Sequence, residues 1–286
     1  MTAARRLREL LGRDETLLVP GAYNALVARI LEQEGFEALY TGGYAAAAAN
    51  YGLPDIGIMT GTEMADHVSR IARAVPLPVI ADADTGFGEL TNVARTVREY
   101  ERAGAAAVQI EDQTFPKRCG HMEGKRVIPR DEMVRKVRAA LAARTNPDTV
   151  IVARTDAIAV TGLDDAIDRM QAYAEAGADL IFPDAPRSTD DLRAIAAAVD
   201  RPLVANFSEH GKTPLLSRDE VQELGYAIAL YPTTTLFAAA HSARELAAAL
   251  KADGTSREAL GQLMVFDELN ELLGLSRWQE EEGGAL

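Results

Sequence analysis

The chain predicts a (β/α)8 barrel, an α/β fold in which eight parallel strands alternate with helices. Three observations lead there. Eight short apolar runs alternate with longer amphipathic stretches of helical period. Several of those stretches end in a glycine just ahead of the next apolar run, at Gly35, Gly104, Gly177 and Gly225, the place of a helix C-cap. The first apolar run leads into Val19-Pro-Gly-Ala, not into the glycine-rich phosphate loop of a doubly wound sheet. A length of 286 residues suits one such barrel and buries a full core without staples.

The elements follow in order. A strand over 17–19 leads to a helix over 24–34, and a strand over 38–41 to a helix over 61–74. The strand over 79–83 precedes a helix over 91–103, and the strand over 107–111 a helix over 130–143. Strands over 150–154, 180–183 and 203–206 precede helices over 163–176, 189–199 and 217–224. The last strand covers 227–231. Helical stretches over 241–252 and 257–273 exceed what a barrel needs. They form a C-terminal extension, about 241–286, expected to pack on a neighbouring subunit and be exchanged with it. Glu280-Glu281-Glu282 and the final Gly-Gly-Ala-Leu read as a frayed tail. No linker or composition break divides the chain, so one domain over 1–286 is expected.

Composition excludes several classes. A net charge of −13 disfavours a nucleic-acid partner, which needs a basic face. No apolar run approaches the ~20 residues of a membrane span. The charged N-terminus lacks the apolar core of a signal peptide. A single cysteine allows no intramolecular disulfide and fits a reducing, cytoplasmic location.

That cysteine, Cys119, sits in a polar stretch beside Lys117, Arg118 and His121, and nearby positive charge favours the thiolate. In a barrel the active site lies at the C-terminal ends of the strands. Those ends carry Asp82, Asp84 and Glu111, with Asp55 in the loop after the second strand. Asp82 and Asp84, two apart, share one side of an extended strand. Crowded carboxylates repel unless protonated or bridged by a cation. An all-oxygen set favours Mg²⁺, or Mn²⁺, over zinc. The alternative is that these acids cap the following helices, the reading preferred for Asp156. Arg154 at a strand end meets either a substrate carboxylate or phosphate, or an acid of the barrel itself. Asn206, Ser208 and Thr213 are placed to hydrogen-bond a substrate carboxylate. His210 lies in the same loop, while His67 and His241 read as surface or packing residues. None of the five lysines falls in a predicted strand, which argues against a Schiff-base aldolase. No Gly-x-Ser-x-Gly elbow exists, and Cys119 with His121 alone makes a poor zinc site.

Several motifs stand together: Asp82-Ala-Asp84-Thr-Gly-Phe-Gly, Asn92-Val-Ala-Arg-Thr, Gln109-Ile-Glu111-Asp112-Gln113, Lys117-Arg-Cys119-Gly120-His121, Ala153-Arg154-Thr155-Asp156-Ala157 and Ala205-Asn206-Phe-Ser-Glu-His-Gly-Lys-Thr-Pro214. From about residue 8 to residue 275 the chain thereby resembles the isocitrate lyase/phosphoenolpyruvate mutase superfamily. The Lys-Arg-Cys-Gly-His loop is that of its lyase branch, which includes 2-methylisocitrate and 2,3-dimethylmalate lyases. The resemblance implies Mg²⁺-dependent retro-aldol (retro-Claisen) cleavage of a 2-hydroxy acid to a 2-oxo acid, such as pyruvate or glyoxylate, plus a carboxylate. Asp84 would be the direct metal ligand, with Asp55, Asp82 and Glu111 acting through water. Cys119 would protonate the carbanion, His121 and Arg154 would hold carboxylates, and Tyr40 would help deprotonate the hydroxyl. Gly42, Gly43, Gly120, Asn206, Ser208 and Phe237 are the expected substrate contacts, the Cys119 loop a lid, and a homotetramer the expected assembly. Three positions depart from the pattern. Phe237 stands where methylisocitrate lyases carry an arginine for a third carboxylate, which favours an alkylmalate-type dicarboxylate. Gly42 replaces a serine, and Asp184 a common glutamate. The alternatives are a methylisocitrate lyase, a phosphonomutase, an oxaloacetate decarboxylase, or a catalytically silent barrel serving assembly. The intact acid set with Cys119 argues against the last.

Overall fold

The computed structural model describes residues 1–120 and 122–284. Its strands are β1 (Leu17–Pro20), β2 (Leu39–Thr41), β3 (Val79–Asp82), β4 (Ala107–Glu111), β5 (Val150–Thr155), β6 (Leu180–Pro183), β7 (Val204–Asn206) and β8 (Ile228–Tyr231). The helices are α1 (Ala3–Leu11), α2 (Ala25–Gln33), α3 (Gly43–Tyr51), α4 (Gly61–Ala74), α5 (Leu90–Ala103), α6 (Arg130–Ala143), α7 (Leu163–Glu175), α8 (Thr189–Ala198), α9 (Arg218–Glu223), α10 (Thr234–Asp253), α11 (Phe266–Leu272) and α12 (Leu275–Gly284).

All strand pairs are parallel, but the ladder is not the continuous eight-stranded one expected. Strands β2 to β6 curl into a half-barrel, while β1, β8 and β7 form a separate sheet. Single parallel bridges link the two, Gly21↔Tyr40 on one side and Ile181↔Leu203 on the other. Strands β2 and β7 are three residues each, and Pro20 and Pro202 supply no N–H at these junctions, so little ladder forms there.

One apolar cluster fills the space inside the strands. Val19, Ile80, Val152, Phe182 and Leu230 point inward and meet Ala4, Leu7 and Leu10 of α1. Helix α1, unassigned from sequence, starts where Thr2 accepts from the Arg5 amide and buries one stripe at helical spacing. Arg8 on it donates to the Asp148 and Thr149 carbonyls and pairs with Asp179. A larger cluster packs the outer helices on the strands.

Helix α3 was also illegible. Its alanine run has no amphipathic period, and Gly42 at its N-cap offers no side chain. Gly52, at φ +62°, ends it in the left-handed conformation that glycine adopts freely.

The C-terminal segment departs most from expectation. The stretch at 241–252 is the second half of α10. The 257–273 stretch breaks into a 3₁₀ turn (Arg257–Gln262), an extended link and α11. The tail expected to fray is helix α12 up to Gly284. Helices α10, α11 and α12 bury none of their described side chains. Val265, Phe266 and Trp278 stay 64%, 77% and 62% exposed, an apolar surface of the kind that meets a partner. No helix among the described residues is long and apolar enough to cross a membrane.

Candidate active site

The C-terminal ends of the strands close around a cavity of about 280 Å³. Its walls include Tyr40, Gly42, Gly43, Asp55, Asp82, Cys119, Gly120, Arg154, Asn206, Ser208 and Phe237, all expected site residues. Asp84 and Glu111 are buried but stand behind this lining. His121 lies outside the described residues.

Asp82 ends β3, and its carboxylate is held by neutral donors. Oδ1 accepts from the Asp84 amide at 3.0 Å and from Gln109 Nε2 at 3.2 Å, and Oδ2 accepts from the Gly43 amide at 3.1 Å. Asp84 lies beyond the strand at φ +47°, so the two acids do not share a strand face as the alternation argument supposed. Lys117 Nζ sits between Asp55, at 2.7 Å, and Asp84, at 2.8 Å. Gly43 packs on this trio, since a Cβ there would lie 3.1 Å from Asp84 Oδ1 and 3.3 Å from Lys117 Nζ.

A second cluster surrounds Arg154. Its guanidinium meets Asp156 at 2.9 Å, Asp184 at 3.2 Å and Glu111 at 3.3 Å. Arg154 thus has acids of the barrel as partners and also lines the cavity. Asp156, expected to cap a helix, makes no cap hydrogen bond; it chelates Arg154 and takes a contact of 2.9 Å from Lys125. Lys125 also reaches Asp184 at 3.2 Å and donates to the Gly120 carbonyl.

Burial and neighbouring charge set the protonation states. Burial pushes the Asp84 carboxyl up to about 6, Lys117 opposing and Asp82 and Asp55 adding to the rise. Burial likewise holds Glu111 well above the carboxylate range, despite Arg154. Burial pulls Lys117 down, but Asp84 and Asp55 outweigh it and keep the amine well above its usual value. Lys117 thus enters the site from a loop as an ammonium, which keeps the Schiff-base reading excluded. Burial, then Asp82, holds Tyr40 well above a phenol's ordinary range, so the phenol keeps its proton.

Across both clusters six buried carboxylates (Asp55, Asp82, Asp84, Glu111, Asp156, Asp184) face three cations (Lys117, Lys125, Arg154). Glu111 Oε1 and Asn206 Oδ1 are buried with no hydrogen-bond partner among the described residues. Excess negative charge, an orphaned carboxylate oxygen and all-oxygen donors fit a hard dication. Among the described residues no three His, Cys, Asp or Glu side chains converge as a metal cage. The oxygen donors are compatible with a hard cation that needs only one or two carboxylates.

Cys119 is half-buried on the cavity wall, its amide donating to the Asp55 carbonyl at 3.1 Å. Burial, then the proximity of Cys119 and Asp55, raises the Tyr44 phenol. Tyr44 meets Phe237 edge-on, 6.0 Å between centroids. Ser208 Oγ lies 3.2 Å from Thr233 Oγ1, whereas Thr213 is buried away from the cavity. His67, read as surface or packing, is buried and bonded to Thr41 Oγ1 at 2.8 Å. Lys117, Lys125 and Tyr44 escaped sequence reasoning because a loop lysine ordinarily reads as solvated. Six acids facing one strand-end arginine is the signal that would have found the lysines.

The phosphoenolpyruvate phosphomutase family pattern matches residues 7–251. The 2,3-dimethylmalate lyase of Eubacterium barkeri is 44% identical over 282 residues, 99% of this chain and 98% of that protein. The 2-methylisocitrate lyase of Aeropyrum pernix is 46% identical over 276 residues, 96% of this chain and 89% of that one. A crystal structure of 2,3-dimethylmalate lyase superposes with a TM-score of 0.93 at 38% identity, covering 100% of this chain and 96% of the other. A phosphonopyruvate hydrolase crystallised with oxalate and Mg²⁺ follows at a TM-score of 0.89 and 34% identity, covering 99% of each chain. Sequence and fold match over nearly the whole length, and the chain belongs to the phosphoenolpyruvate mutase/isocitrate lyase superfamily, close to its 2-methylisocitrate lyase and 2,3-dimethylmalate lyase branch.

Proposed function

We propose that the protein is a carbon–carbon lyase acting on a hydroxy-dicarboxylate of the alkylmalate type, releasing a 2-oxo acid such as pyruvate or glyoxylate and a second carboxylate. The observation that carries this is Cys119, set on one wall of a cavity whose other walls are acidic (Asp55, Asp82) and apolar (Tyr44, Phe237).

The division of labour follows from the chemistry. Retro-aldol cleavage passes the hydroxyl proton to a carboxylate on the cavity wall, Asp55 or Asp82, breaks the C–C bond and leaves the electron pair on the departing carboxylate's α-carbon. That carbon needs a proton, and the Cys119 thiol is placed to supply it as general acid. Tyr40, kept protonated, donates a hydrogen bond to a substrate oxygen. The N-terminus of α3, opened by Gly42 and Gly43, offers positive dipole to a substrate carboxylate, with Asn206 and Ser208 facing it. A Cβ at Gly42 would strike the Tyr40 ring at 2.8 Å, so glycine here permits close approach of backbone. Asp84, with Asp55, Asp82 and Glu111 around it, would hold a Mg²⁺ or Mn²⁺ ion, which would supply Lewis-acid stabilisation of the developing oxyanion. The cavity's own cations, Lys117 and Arg154, are already paired with protein acids. A third substrate carboxylate would find Phe237 instead of a guanidinium, which disfavours a tricarboxylate.

At the scale of the fold, we read the two sheets as one barrel interrupted at two seams and 1–286 as one domain. The apolar face of α10–α12 supports exchange of this segment between copies in a homotetramer, in the cytoplasm.

The test is release of 2-oxo acid, with and without Mg²⁺, from substituted malates, methylisocitrate and isocitrate. A dialkylmalate is expected to be the best substrate. Cys119→Ser, folding normally, is expected to lose about 10²–10⁴-fold in turnover. No turnover of any substrate by the folded wild type sinks the lyase reading, and methylisocitrate as best substrate overturns the use made of Phe237.

A further inference from the structure

Lys125 is a buried charge that the proposed chemistry does not use. It belongs to the excursion after β4, whose two ends are tied together by the antiparallel bridge Gln113↔Val127. The Thr114 amide donates to the Arg126 carbonyl at 2.8 Å, and the Gln113 side chain bonds the Arg118 backbone at 2.8 and 3.0 Å. Beyond this internal bracing, the segment's buried charged anchors among the described residues are two lysines, Lys117 at Asp55 and Asp84, and Lys125 at Asp156 and Asp184. The side chains of Lys125, Asp156 and Asp184 are 2%, 0% and 1% exposed.

The two acids belong to the rigid part of the fold, directly after β5 and β6. An ammonium reaching them from a loop fixes that loop in place, because a buried charged hydrogen bond is costly to leave half-made. The same ammonium holds the carbonyl of Gly120, the residue after Cys119. Gly120 is pressed so close that a Cβ would stand 2.1 Å from Asp184 Oδ2 and 2.6 Å from Arg154 Nη2. Without Lys125, Asp156, Asp184 and Glu111 would share one guanidinium, and the Gly120 carbonyl would lose its donor.

We propose that Lys125 is a positioning residue, the latch that holds the Cys119 segment down on Asp156 and Asp184 and so sets the thiol over the cavity. This rests on the reading that Cys119 serves the reaction, but its test does not need turnover. Cys119 is the chain's one thiol, so iodoacetamide labelling followed by intact-protein mass reports on it alone. Lys125→Met is expected to label at least about tenfold faster than wild type, as an open state of about 10% or less becomes dominant. Lys125→Arg, which keeps a donor cation, should restore most of the protection. Loss of a nearby positive charge alone would reduce the thiolate and slow labelling, so the sign separates a latch from a mere electrostatic neighbour. A folded Lys125→Met chain that labels no faster than wild type overturns the proposal. Should that variant not fold, Gly120→Ala reads the same contact from the other side: faster labelling supports the latch and an unchanged rate overturns it. A shift in labelling with no turnover by the wild type leaves the latch standing while the lyase reading falls.

Discussion

His67 shows how one side chain ties the site to stability. Asn50 Nδ2 donates to its Nδ1 at 3.0 Å, so Nε2 carries the proton toward Thr41 Oγ1. A second ring proton would face the Asn50 amide hydrogens. Burial, with Arg70 adding, brings the ring down to about 4. The unfolded chain takes up that proton near the ordinary histidine value of about 6.5, and the native chain does not until about 4. His67 therefore contributes stability fully above pH 6.5, and that contribution is lost as pH falls toward 4. The loss amounts to roughly 3 kcal/mol across the window. Urea unfolding of wild type and His67→Gln at pH 7 and pH 4.5 checks this: wild type should lose more stability between the two than the variant. Sequence alone made His67 a surface or packing residue, and burial bears out the packing alternative; its partner Thr41 lies 26 positions away, and no periodicity reveals that pairing.

At the scale of elements, the turn after β3 is the feature that most constrains Asp84, the proposed metal ligand. Asp84, Gly86, Phe87 and Gly88 all have positive φ, at 47°, 83°, 57° and 141°. Non-glycine residues there are held by their surroundings. The Glu111 amide donates to the Asp84 carbonyl at 2.9 Å, Thr96 Oγ1 to the Gly86 carbonyl at 3.2 Å, and Lys136 Nζ, from α6, to the Thr85 carbonyl at 3.1 Å. Lys136 is itself buried, at 4% exposure. Lys136→Met is expected to loosen the turn and weaken Mn²⁺ binding about 10–100-fold, the usual cost of losing a support behind a metal ligand. Electron paramagnetic titration of free Mn²⁺ against the protein measures it, and unchanged affinity would refute it. The motif Asp82-Ala-Asp84-Thr-Gly-Phe-Gly was legible, and so were the strands, whose apolar runs and preceding glycines carry local signals. Helices α1 and α3 were not. The first is short and strongly charged, and the second is alanine without amphipathic period. What holds α3 is a long-range contact, Asp82 Oδ2 receiving the Gly43 amide.

For the whole molecule, the strand ends and the C-terminal helices ask opposite things of the chain. The strand ends concentrate buried charge, which the sequence displays as acids at regular places but whose balance depends on loop lysines brought in by folding. The C-terminal helices display apolar surface that the described residues of this chain leave exposed. Phe266 and Trp278, 77% and 62% exposed, sit on successive helices α11 and α12. Burying side chains of this size is worth about 1.5–3 kcal/mol each. Such surface, if it stayed in water, would leave α11 and α12, of seven and ten residues, stabilised by little beyond their own backbone hydrogen bonds and mutual contacts, which for short helices is marginal. The proposed association with a second copy would supply that cover. The double variant Phe266→Asp/Trp278→Asp should then weaken self-association by about 100-fold or more, at 1.4 kcal/mol per tenfold. Sedimentation velocity over a concentration series reads this directly, and the far-ultraviolet signal of the strands and of α1–α9 should persist. If the double variant sediments as the wild type does, these helices are not the surface through which copies of the chain meet.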